Sequence, residues 1–191
     1  IGQRSAQPRV QRQAVLIDGF DYDPTVDLTH NPRYYPEFLE RYGLRKAKDY
    51  VAYTLQVQDP APERLTYLAE RVRRRRDIET RSLKMKDLVE GIRLVIRIYN
   101  DAWADNWGFV PMSEAEIDFM AHELKPIIDP RIVHFVEHEG RAVAFELAIP
   151  DYNIILQRMK GRLFPFGWRH MIGAKKKINR YRIITMGVLP E

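Results

Sequence analysis

Residues 98–111, IYNDAWADNWGFVP, bring Trp103 and Trp107 together with Asn100, Asn106 and Gly108. Amide side chains beside indoles offer directed hydrogen bonds on an apolar wall, which is how a small-molecule pocket is made. The same set builds a packed corner, with indole N–H and amide groups satisfying one another over a turn. Asp151 and Asn153, in the string PDYN, pose a similar choice. They face a site if the chain leaves a buried strand into a cleft, and they cap a turn if it does not. Glu146, a few residues earlier, serves as a base only if it points into a cleft; otherwise it is a surface carboxylate on a strand.

Two further patterns invite chemistry. His134, Glu137 and His138 match the H-x-x-E-H spacing of inverted zinc proteases, which needs a helix to bring both imidazoles to one metal. The flanking Val133, Phe135 and Val136 and the Glu139-Gly140 turn make this segment a strand. At roughly 3.3 Å per residue the two histidines then stand about 13 Å apart, too far for one zinc. No metal site is expected. The basic runs at residues 73–76 and 175–177 fit phosphate contacts or solvated helix ends, where the dipole favours cations. No aromatic interleaving accompanies the first run, and nucleic acid is not the expected partner.

The elements that must position these groups follow from periodicity. Leu88, Ile92, Val95, Tyr99, Ala102 and Trp103 form one stripe of a helix over residues 86–103, which delivers the tryptophan loop. Ser113 and Glu116 make a capping box that starts the next helix, with Ile117, Met120, Ala121 and Leu124 inward and Pro126 at its end. After Asp129-Pro130 a hairpin turns at Glu139-Gly140. A helical turn follows over residues 154–159, then a basic segment, then a last strand over residues 181–188. Upstream, the apolar run at residues 14–20 and the alternating YVAYTLQV at residues 50–57 predict strands, with a helix in PEFLERYG between them and Gly43 as its C-terminal stop. A helix with Leu65, Leu68, Ala69 and Val72 on one face connects the two halves. A short strand over residues 79–83 opens the second half.

Composition narrows the class. The chain has 191 residues, 45% apolar and 30% charged, as a folded globular sequence does. Zero cysteines exclude disulfides, thiolate nucleophiles and cysteine zinc sites, and fit a reducing compartment. No apolar run reaches the length of a membrane span, so a cytoplasmic protein is expected. A net charge of +5 admits anionic partners without requiring them.

The order strand, long helix, short helix, hairpin, and a fourth strand ending in ITMGVLPE resembles the first half of a GNAT-superfamily N-acyltransferase. The string YYPEFLERYG followed by a strand is similar to the end of that fold. The strings NPRYY, NDAWADNWGFVP, PDYN and GRLFPFGW resemble an uncharacterised bacterial group with tandem GNAT-like units. The resemblance implies an α+β (α/β) fold with a mixed, mostly antiparallel sheet flanked by helices, and a chain holding parts of two units. Residues 14–58 would be the end of the first, 59–77 a connector helix, and 78–191 the front of the second.

It also implies transfer of an acyl group from acetyl-CoA or another acyl-CoA to a small-molecule or peptide amine. Met186, Gly187 and Val188 would hold the coenzyme's pantetheine arm, and Asn106, Trp107, Asp151 and Asn153 would line the acceptor side. The catalytic base is not identified. The family's Gly-rich pyrophosphate loop would follow Glu191, so the activity is expected of a longer protein. The other class left open is a non-catalytic GNAT-like module that binds a partner or nucleic acid through its basic runs.

Overall fold

A computed structural model describes residues 14–56, 60–75 and 77–190. Two helices come first, α1 over Tyr35–Arg41 and α2 over Glu63–Arg75. The body of the molecule then runs β1 (Ile78–Ser82), α3 (Leu88–Ala102), α4 (Glu114–Leu124), β2 (Val133–His138), β3 (Arg141–Pro150), α5 (Asn153–Arg158), α6 (Ala174–Lys177) and β4 (Tyr181–Val188). The four strands form one antiparallel sheet in the order β1-β2-β3-β4. This is the α+β arrangement read from the sequence.

The apolar stripe of α3 faces this sheet. Ile92, Val95 and Ile96 are buried with Val133, Phe135, Phe145 and Leu147 from β2 and β3, and Ile117, Ala121 and Leu124 of α4 close the same core. Gly91 sets how near α3 comes, because a Cβ there would stand 2.2 Å from Leu83 Cδ1. The expected capping box opens α4: the Ser113 N–H donates to Glu116 Oε2 at 2.9 Å, and Ser113 Oγ accepts from the Glu116 N–H. A second, smaller apolar cluster joins Ile155, Met159, Ala174 and Ile178 beneath the segment between α5 and β4.

The hairpin turns where expected, with Glu139 and Gly140 both at positive φ. It is not a plain ladder, however. Glu137 pairs with Ala142 but Val136 pairs with Ala144, so Val143 is an extra residue on β3. Beyond the bulge every β3 side chain changes face relative to an unbulged hairpin.

Two expected strands are absent. Residues 14–20 and 50–56 form no strand, and Tyr50, Val51, Tyr53 and Leu55 are exposed. Alternating β-branched and aromatic residues favour a strand only where another strand supplies backbone partners and a face to pack on, and among the described residues none lies beside this segment. The expected strand at 79–83 and helix at 86–103 are present with shifted ends; a 3-10 turn over Met85–Asp87 precedes α3. Val57, Asp59, Arg76 and Glu191, each part of a sequence expectation above, lie outside the described residues.

One ion pair at the entry to β2 makes a pH prediction. Asp129 is buried and accepts from the backbone N–H and the guanidinium of Arg131. Those side-chain bonds hold its carboxyl below the ordinary value. A carboxyl depressed in the folded state adds stability above its unfolded pKa of about 3.9 and loses it as pH falls through the folded value. Asp129→Asn should therefore flatten the acid limb of a urea-midpoint profile below about pH 4 and leave the profile's shape near neutrality unchanged.

Candidate functional site: the tryptophan corner and the end of β4

The tryptophan loop divides into an inner and an outer part. Trp103 caps α3, its N–H donating to Tyr99 O at 3.0 Å, and its ring lies 5.3 Å from that of Tyr99, which in turn lies 5.4 Å from Phe109. Burial raises the Tyr99 hydroxyl above its ordinary pKa. Asn100 ties the loop's return to α3: its Nδ2 donates to Met112 O at 3.2 Å and its Oδ1 accepts from Met112 N at 3.1 Å. These residues make the packed corner. Trp107 belongs to the outer part: it is 60% exposed, with Lys48 Nζ 5.8 Å from its ring centroid. Asn106 is exposed beside it and accepts the Phe109 N–H through its backbone at 3.0 Å.

The corner is joined to β4 by one hydrogen bond, from Trp103 Nε1 to Met186 O at 2.9 Å. That carbonyl therefore points away from β3. By strand alternation Gly187 turns its N–H and C=O toward β3, its partner being Phe145, while Met186 N–H and both backbone groups of Val188 look to the outer side of β4. No described strand pairs with that side. Gly187 also leaves room for the end of α3: a Cβ there would meet Phe145 Cε1 at 2.8 Å and Ala102 Cβ at 3.2 Å. An open strand edge with free amide donors, one carbonyl occupied by an indole and an exposed Met186 alongside can hold an extended, amide-bearing chain.

The sheet's other face carries a row the linear sequence does not show. Ser82 pairs with His134, His134 with Glu146, and Glu146 with Met186, so one residue from each strand lies in line. Ser82 Oγ stands 3.4 Å from His134 Nδ1. Glu146 is half-buried, with no hydrogen-bond partner among the described residues. His134 was set aside above as part of a zinc-protease spacing, and it lies with His138 on strand β2 as the strand reading expected. The signal that could have found it is the bulge, which no spacing rule predicts.

Asp151 and Asn153 stand elsewhere. Pro150 pairs with Tyr181 at one end of the β3–β4 ladder, whereas Ala144 pairs with Val188 at the other, so PDYN lies about 20 Å from Met186–Val188 at roughly 3.3 Å per residue. Asp151 is 0% exposed. Its Oδ1 accepts from Val26 N at 2.9 Å and Asn153 N at 3.2 Å, and its Oδ2 accepts from Arg180 Nε at 2.5 Å. Asn153 Nδ2 donates to Pro24 O at 2.8 Å. Arg182, its pKa lowered by burial, donates to Val26 O at 2.7 Å and lies 3.4 Å from Asp27. Together they clamp the loop around residues 24–27 to the sheet. The four acceptor residues read from the sequence thus fall into two separate groups.

An open depression of about 400 Å³ runs along α3 and the start of α4, lined by Arg93, Arg97, Asn100 and Met112 among others. Arg93 there is held by Glu90 and Asp118, and it adds no free charge to the site.

No protein-family model matches the chain. It is 36% identical over 179 residues to the bacterial ceramide synthase of Caulobacter vibrioides, covering 91% of this chain and 46% of that protein. It is 30% identical over 187 residues to the protein YghO of Escherichia coli, covering 95% of this chain and 47% of that one. The chain thus spans about half the length of the curated relatives it matches. Among solved structures, the apo form of a mutant agmatine N-acetyltransferase aligns with a TM-score of 0.32 and 14% identity, over 60% of this chain and 61% of that one.

Proposed function

We propose that the protein containing this chain is a GNAT-type N-acyltransferase that forms an amide between an acyl group carried on coenzyme A and the amine of a long-chain base. The observation that carries this reading is 36% identity, along 91% of the chain, to a protein whose name says that it synthesises ceramide, which is itself an N-acylated long-chain base. The open edge of β4 supports it. Pantetheine is an extended chain with two amides, and the free donors of Met186 and Val188 fit it as a strand partner, with Gly187 keeping the backbone close to α3. Residues 14–58, 59–77 and 78–191 serve in this reading as the end of one GNAT-like unit, a connector and the front of a second.

The chemistry is acyl transfer. The amine nitrogen attacks the thioester carbonyl, the C–N bond forms, the C–S bond breaks, and the coenzyme leaves as thiolate to be protonated. Glu146, directly across from Met186 with His134 on its other side, takes the proton released by the attacking amine. Trp107 and Asn106 offer the acceptor an indole face and an amide at the rim. Asp151 and Asn153 act indirectly, by holding the loop at residues 24–27.

In the full-length protein, amide formation from acyl-CoA and a long-chain base, followed by mass spectrometry, tests the reading; no N-acylated product with any acyl length would overturn it. Glu146→Gln should lower kcat by about 10²–10⁴-fold with an unchanged melting curve. Trp107→Ala should raise KM for the amine by about tenfold, with the coenzyme's KM unchanged; a loss of folding instead would return Trp107 to the packed corner.

A further inference from the structure

The segment between α5 and α6 presents its large apolar side chains outward. Phe164 is 76% exposed and Phe166 68%, and Leu163, Trp168, Met171 and Ile172 are also exposed. This is not a loose loop. Trp168 N donates to Leu163 O at 3.0 Å, Trp168 Nε1 to Pro165 O at 3.1 Å, and Arg162 N to Met159 O at 3.0 Å. A 3-10 turn over Gly167–His170 closes it, and the backbone is so tight that a Cβ on Gly167 would sit 1.8 Å from Arg162 O. Beneath it Ile155, Met159, Ala174 and Ile178 form the buried cluster that seats it on the body. The fold thus has an inward set of apolar residues for this segment and spends a second, larger set on solvent.

Charge selects the occupant. Between Asp151 and Glu191 the chain has no acidic residue at all. Lys160, Arg162, Arg169 and Lys176 lie within or beside the knuckle, with no side-chain hydrogen bond or ion pair among the described residues. Exposed Phe and Trp in one segment with unpaired Lys and Arg is the composition of a surface that enters the headgroup region of a bilayer. There the aromatic rings reach the acyl boundary and the cations meet anionic headgroups. A protein partner of ordinary polarity would leave these cations unmatched, and nucleic acid would leave the apolar rings at the tip of the knuckle unused.

We infer that residues 160–176 form a membrane-docking knuckle, which seats the protein on an anionic lipid surface without spanning it. No helix of the described residues is long and apolar enough to cross a membrane. The inference rests on the knuckle alone and stands whether or not the acyltransferase reading does.

Flotation of the full-length protein with vesicles of phosphatidylcholine, with and without about one third phosphatidylglycerol, is the test. Binding is expected with anionic vesicles and should weaken by about tenfold or more as salt rises from tens to hundreds of millimolar. Phe164→Ser with Phe166→Ser should reduce the partition coefficient by about tenfold or more at low salt, with the melting temperature unchanged because both rings are exposed. Arg169→Gln with Lys176→Gln should remove most of the preference for anionic lipid. Failure to float, wild-type flotation by the Phe variant, or binding to RNA that the same protein does not show for vesicles would each overturn the inference. Loss of flotation with retained amide synthesis in detergent would separate this surface from the catalytic one.

Discussion

Replacing Asp151 by Ala is expected to destabilise the protein by about 1–3 kcal/mol, the range for buried hydrogen-bonding groups that lose their partner. Arg180, 38% exposed, regains water, which keeps the loss below that of a fully buried ion pair. The substitution leaves the Arg180 guanidinium without its carboxylate and the N–H groups of Val26 and Asn153 without an acceptor. Each of these partly buried donors adds to the loss to the extent that water does not reach it. Urea unfolding gives the energy, and limited proteolysis near residues 24–27 should report the freed loop. Asp151→Asn should lose less, since its remaining carbonyl oxygen still accepts from Val26 N. If Asp151→Ala kept full stability and lost amine binding instead, Asp151 would belong to the acceptor site and the clamp would be the lesser role.

The second large effect is at Gly187. A methyl group there stands 2.8 Å from the ring of Phe145 and 3.2 Å from Ala102 on α3. Phe145 is buried in the core and has little room to turn. Gly187→Ala should therefore cost about 1–3 kcal/mol as overpacking and move the end of β4 away from α3. The hydrogen bond from Trp103 to Met186 crosses that gap, so indole fluorescence should change along with the melting temperature. Adding Phe145→Leu to the Ala variant should recover part of the loss, and the double-mutant cycle should show coupling between the two positions. Additive losses would mean that the glycine is there for another reason. Under the proposed acyl transfer, the activity of the full-length protein should fall further than its stability, because the same displacement misplaces the outward N–H groups of Met186 and Val188.

The sequence by itself determined the elements whose period is set by local chemistry. The stripe on α3, the Ser113–Glu116 box, the Glu139-Gly140 turn and the last strand at Tyr181–Val188 are all in place, because helix and strand periods write the buried face directly into the order of residues. It also singled out Trp103 and Trp107 without separating them. Only the tertiary structure did that, giving one indole to the Met186 carbonyl and the other to solvent, a choice that depends on where β4 lies relative to the end of α3. The strands expected at residues 14–20 and 50–57 show the same limit from the other side. A strand's alternation states which faces it offers, but its hydrogen bonds come from a neighbour that local sequence cannot name.

Glu146 shows it most sharply. A two-residue hairpin without a bulge would set Glu146 opposite Val133 and turn its carboxylate into the core. The extra residue at Val143 moves it opposite His134 and onto the open face beside Met186. The sequence determined that a carboxylate sits on this strand; one inserted residue in the ladder decided which side of the sheet it serves.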